Sequence, residues 1–168
     1  MKRYESQMDT VAAYIMPALI TFIVIAFFVA DYRLNRLQNV SPMFFVSFVL
    51  IATMIAMYMY RPKGIVVTND ALIIDRQVKP VTIQYSDIKS VKQVTNELKG
   101  SIRTFGNGGL FGYIGKYYNR NIGKMTWYCT QRKNFVLVEL NDKRNIIITP
   151  DHPQDLLLEL KAYTNVSL

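Results

Sequence analysis

The chain has 168 residues, with 20 Lys and Arg against 12 Asp and Glu and a single cysteine. One cysteine excludes an intrachain disulfide, and the net charge of +8 is not gathered into the like-charge blocks that mark a nucleic-acid arm. The 51% hydrophobic content averages two unlike parts: residues 11–60 hold three charges, whereas residues 61–168 hold 16 of the Lys and Arg and 9 of the Asp and Glu.

The first ten residues are short and mixed in charge. Residues 11–30 and 40–60 are then two runs free of charged residues, with Asp31, Arg33 and Arg36 in the nine residues between them. A helix rises about 1.5 Å per residue, so each run is about 30 Å long, the thickness of a bilayer's hydrocarbon core. The pattern predicts a two-helix transmembrane hairpin. A second run follows at once and no small-residue cleavage site precedes a polar chain, so the first helix is expected to be retained rather than removed as a signal. Pro17 predicts a kink about two turns into the first span. Pro42 falls in the first turn of the second span, where a missing N–H costs little. Tyr58 and Tyr60 close that span as interfacial aromatics do. Neither span contains an ionisable residue other than tyrosine, so no ion or proton path is expected. Lys2, Arg3, Arg61 and Lys63 flank the hairpin against Arg33 and Arg36 in its loop, which places both termini and the polar part in the cytoplasm.

Beyond residue 60 the pattern changes to short strands about every ten residues. Residues 65–68 and 71–76 read as a hairpin turned at Asn69-Asp70, followed by strands at 81–85 and 88–94. Residues 125–130, 135–140 and 145–149 read as three more, with Asn141–Arg144 as the last turn. This predicts about seven strands. Cys129 falls in one of them as a buried, inert thiol, and Trp127 as packing. A C-terminal amphipathic helix follows, with Asp151 as its cap, Gln154 as the capping-box partner and Leu156, Leu157, Leu160 and Tyr163 on its apolar face. His152, the only histidine, is read as a neighbour of the cap.

Residues 103–124 stand apart. They hold six of the eight glycines, no acid, the cations Arg103, Lys116, Arg120 and Lys124, and the aromatics Phe105, Phe111, Tyr113, Tyr117 and Tyr118. Leu110 and Tyr117 exclude a Walker loop, and Phe111 stands where G-x-G-x-x-G needs its third glycine. One reading is a long loop or bulged hairpin whose glycines take positive φ. Another is a docking loop whose aromatics enter a membrane interface while its cations meet anionic headgroups. A third is a protein-binding loop, since Tyr and Arg favour interface hot spots. These nine residues are the candidate membrane- or partner-contact set.

The ending FVLVELNDKRNIIITPDHPQDLLLEL, with the glycine-rich FGNGGLFGYIG before it, resembles the bacterial PH-like domains found in small membrane proteins. The resemblance covers roughly residues 61–165. It implies a bent antiparallel β-barrel or sandwich closed by a terminal helix, at a membrane, and implies no ligand and no functional residues. The expected whole is an α+β protein: a tail and hairpin over residues 1–60 and a cytoplasmic PH-like domain over 61–168. Its expected role is non-enzymatic binding or scaffolding at the cytoplasmic membrane. No cofactor, metal or nucleic acid is expected. The expected partners are the bilayer, anionic lipid headgroups and other membrane proteins. The alternatives are a structural subunit of a membrane complex, or an enzyme with an unrecognised pocket.

Overall fold

The computed structural model describes residues 1–34 and 42–163. The expected loop cation Arg36 and the start of the second span at Val40 and Ser41 lie outside the described residues. The chain is α+β. Strand β1 (Lys2–Glu5) is followed by a π-helical turn, Val11–Ile15, and helices α1 (Met16–Leu34) and α2 (Pro42–Tyr60). Strands β2 (Pro62–Val67), β3 (Ala71–Arg76), β4 (Val81–Gln84) and β5 (Ile88–Gln93) come next. They are followed by β6 (Ile102–Gly108), β7 (Tyr113–Asn119), β8 (Gly123–Cys129), β9 (Val136–Leu140), β10 (Asn145–Ile148) and helix α3 (Pro153–Tyr163).

Among the described residues, Val11–Arg33 is long and apolar enough to cross a membrane, and Phe44–Tyr60 is a shorter apolar helix. Proline cannot donate to the turn before it. A π-helical turn, Val11–Ile15, stands just ahead of Pro17, and there the hydrogen-bond ladder widens. The two helices touch through Phe28 and Phe44, whose rings meet edge to face at 5.9 Å.

Two sheets make up the rest: β1-β2-β3-β4, and β5-β9-β10-β8-β7-β6. Successive strand residues point to opposite faces. Val136, Val138, Ile146 and Ile148 therefore enter a core shared with Ile65, Leu72 and Ile74 of the smaller sheet and Leu156 and Leu160 of α3. Leu137 and Ile147 enter a second core with Tyr113, Tyr117, Trp127 and Cys129. Burial on both faces explains why residues 136–138 of β9 and 146–148 of β10 read as unbroken apolar runs instead of alternating ones.

The structure corrects the expected strand pattern in three places. The tail, read as part of the hairpin unit, forms β1, which pairs antiparallel with β2 in the register Arg3↔Val66 and Glu5↔Gly64. Among the described residues nine strands follow α2 instead of about seven, because the glycine-rich stretch supplies β6 and β7. The barrel is not wholly antiparallel, since β10 runs parallel to β8 with Ile147 opposite Trp127. The hairpin of β9 and β10 inserts between β5 and β8, so β10, reversed twice relative to β8, must share its direction.

The expected capping box at α3 does not form. The Asp151 carboxylate instead accepts the Gln7 backbone N–H at 3.0 Å and the Gln131 amide at 3.1 Å, while Gln154 donates to Gln93 at 2.9 Å. Packing of the tail claims the group that local sequence assigns to the helix. His152 is exposed, and its carbonyl accepts the Leu156 N–H in the first turn.

Candidate functional site: the β6–β8 face and its two ends

The strands run between a rim that meets the helices and a rim that does not. At the helix-facing rim the Phe111 N–H donates to the Ala12 carbonyl at 3.0 Å, and Val78 donates to Met59 at 3.3 Å. The Phe111 ring meets Tyr58 of α2 edge to face at 5.2 Å. At the far rim Asn141 donates to the Asp87 carbonyl at 2.9 Å. The Asn145 amide, at the start of β10, reaches the Ile122 carbonyl at 3.1 Å.

This axis divides residues 103–124. They form a bulged hairpin, β6 with β7, and then the first turn into β8. Gly115, at φ 142°, faces Gly106 across the hairpin, and a Cβ on Gly115 would collide with the Phe105 carbonyl. Glycine is needed there for close backbone approach at the bulge, which is why a composition that reads as loop forms two strands.

The candidate contact residues fall into four groups. Phe111 sits at the helix-facing rim against Tyr58 and takes φ 57° to do so. Tyr113 and Tyr117 are 3% and 7% exposed and belong to the inner core, so they leave the exposed contact set. Tyr117 stacks on Trp127 at 4.1 Å, and the Tyr113 hydroxyl donates to Asp9 at 2.9 Å. Lys116, Tyr118 and Lys124 point to the opposite face of the sheet and lie exposed. Arg103, Phe105 and Arg120 are exposed as well, Phe105 by 74%, on edge strand β6 and in the β7–β8 turn. From Tyr113 to Asn119, β7 spans about 20 Å at about 3.3 Å per residue. The aromatic tip and the cations of the far turn therefore do not form one docking loop.

The exposed cations of β7 and β8 line a groove of about 610 Å³. Its walls carry Lys116, Tyr118 and Lys124, with Thr104 and Thr126 between them, and Lys143 and Arg144 from the β9–β10 turn. Arg144 is paired with Asp142 at 2.6 Å, while Lys116, Lys124 and Lys143 have no ion pair among the described residues. In the sequence Lys143 and Arg144 read only as part of a turn. Nothing local marks them, because parallel pairing of β10 with β8 is what brings that turn beside Lys124.

A second concavity of about 680 Å³ lies between the tail and the start of α3. Its walls include Glu5, Asp9, Asp151 and Asp155 against Arg3 and Lys133, so acids outnumber bases there. Electrostatics thus favour an anion in the groove and not beside α3. Elsewhere the titrating groups serve packing: burial pushes the Cys129 thiol well above its usual range, and burial with the Asp9 hydrogen bond pushes Tyr113 up to about 12.

Comparison with known proteins agrees with this architecture. No curated protein and no solved structure matches the chain. The family model described as the bacterial PH domain matches residues 63–163, which run from β2 to the end of α3 and make up more than half of the chain. The chain belongs to the bacterial PH domain family.

Proposed function

We propose that this is a two-pass membrane protein displaying its PH domain on the cytoplasmic side as a non-enzymatic binding module, with the far-rim groove as its ligand face. The observation that carries the membrane reading is the pairing of β1 with β2, Glu5 opposite Gly64. The chain leaves the sheet at one end of β1 and returns beside it in β2, so α1 and α2 depart from the same rim. A crossing by α1 must then be matched by a return through α2. The 19 residues of α2 give about 28 Å of helix, close to the apolar thickness. The side chains that the two helices turn outward are large and apolar, including Phe22, Ile25, Phe45 and Phe48. That surface suits lipid.

The groove gives the module its chemistry. Lys116, Lys124, Lys143 and Arg144 converge with three hydroxyl side chains, which suits an acidic or phosphorylated group on a partner. Its place on the far rim favours a partner reaching from the cytoplasm over the headgroups of the anchoring bilayer.

Membrane-impermeant thiol labelling of the full chain in sealed vesicles tests the topology. Ser86→Cys on the far rim and Asn39→Cys between the spans should label from opposite sides, with buried Cys129 silent. Labelling from one side removes the two-pass reading. For the ligand face, crosslinking of wild type against Lys116→Gln/Lys124→Gln/Lys143→Gln in membranes should show adducts that the variant loses. Identical adducts would move the ligand face elsewhere.

A further inference from the structure

Two arginines at the seam between helix and sheet have no acidic partner among the described residues. Arg61 follows α2 directly, and Arg76 ends β3 opposite Pro62. Among the described residues, each has a buried Nε–H with no hydrogen-bond partner. Arg61 lies over the Tyr58 ring at 4.3 Å, and its other nitrogens reach the Met8 sulfur at 3.8 Å and the Tyr58 hydroxyl at 3.5 Å. Arg76 lies 5.1 Å from the Tyr128 ring and 6.0 Å from the Tyr60 ring and donates to the Lys79 carbonyl. Among the described residues neither pairs with a carboxylate, although Arg3 nearby is paired with Asp75 at 2.9 Å.

A guanidinium offers five donors in a planar fork, and thioether sulfur and ring faces satisfy them poorly. Beside Arg61 is a groove of about 280 Å³ whose walls also carry Lys63, so that Arg3, Arg61 and Lys63 outnumber Glu5 there. The groove opens where α2 ends in Tyr58 and Tyr60. Tyrosines at a helix end mark the headgroup level of a bilayer.

We infer that this seam is a phospholipid site: Arg61 and Lys63 hold the headgroup phosphate of one anionic lipid, and Arg76 holds that of a second lipid from the other side of Pro62. The site rests on the membrane reading above and is separate from the far-rim groove. A phosphodiester accepts the fork in bidentate fashion, supplies the missing counter-charge, and arrives with acyl chains that lie along the outward apolar face of α2. The bound lipid then fixes the height of the PH domain above the bilayer, because Arg61 is held by the Tyr58 ring of the helix and Arg76 by the Tyr60 ring of the helix and the Tyr128 ring of the sheet.

The full chain in nanodiscs of mixed phosphatidylglycerol and phosphatidylcholine provides the test, with retained lipid counted by native mass spectrometry after release from the disc. Wild type should retain phosphatidylglycerol over phosphatidylcholine. Arg61→Gln/Lys63→Gln should lower that preference about tenfold, and Lys89→Gln/Lys99→Gln, at exposed positions outside both grooves, should leave it unchanged. Arg61→Lys retains charge without the fork and should fall between; it also carries the test if the double variant does not fold. Added inorganic phosphate should not displace the lipid. Equal retention in wild type and the seam variants overturns the site, as does displacement by inorganic phosphate, which would assign the groove to a free anion. Thiol labelling on the expected sides together with no lipid preference would overturn the seam site while the two-pass reading stands.

Discussion

The Asp9 carboxylate accepts the Tyr113 hydroxyl at 2.9 Å through one oxygen and caps the Ala12 N–H at 2.8 Å through the other. One side chain thereby joins the start of the apolar helix to the inner core of the larger sheet. Tyr113 titrates near 12 instead of 10 because burial, and then this hydrogen bond, favour its neutral form. The folded state therefore holds a proton that the unfolded chain releases first. The contribution is complete below about pH 10 and is lost as pH rises toward 12. Tyr113→Phe should cost about 1 kcal/mol at neutral pH, the worth of one hydrogen bond, and should flatten the alkaline fall in thermal stability. An unchanged alkaline slope would assign that fall to other groups, Tyr85 first among them.

Docking of β1 requires a bare backbone at Gly64. A Cβ there would sit 2.8 Å from the Tyr4 carbonyl oxygen. Gly64→Ala should cost about 1–3 kcal/mol, the usual range for overpacking, and should free the tail for proteolysis before the rest of the domain unfolds. A tail that remains protected would show that the sheet widens to accept the methyl group.

Helix α3 separates core from surface within two residues. Leu156 is fully buried between the sheets and Leu158 is 64% exposed. Leu156→Ala should lower stability by about 2–5 kcal/mol through lost burial and a residual cavity. Leu158→Ala should change it by less than about 0.5 kcal/mol. Denaturant unfolding of both variants checks the contrast, and equal losses would place α3 differently.

Cys129 has no exposed surface, and its sulfur lies 3.5 Å from the Ile147 carbonyl. Modification by an aromatic disulfide reagent should follow unfolding rather than thiol ionisation, because burial raises the pKa and blocks access. Fast labelling of the folded protein at neutral pH would contradict this.

The sequence alone determined what local pattern can carry. Charge-free runs mark the apolar helices, and alternating or unbroken apolar runs mark β2 to β5, β9 and β10. The leucine spacing of α3 marks its buried face, and the ending of the chain carries the family. Interactions between residues far apart in the chain were decided only by the tertiary structure. Residues 2–5 look like a polar tail because the strand that satisfies their backbone lies about sixty residues away, at Gly64–Val67. The glycines at 106 and 115 read as loop because the need for them is the close approach of the other strand. Tyr113 and Tyr117 share the composition of a docking loop, and alternation turns them inward while Lys116 and Tyr118 face out. Lys143 and Arg144 join Lys116 and Lys124 only because β10 lies parallel to β8. Periodicity is a property of neighbouring residues and can be read along the chain, whereas a charged groove is a property of strand order and exists only once the sheet has formed.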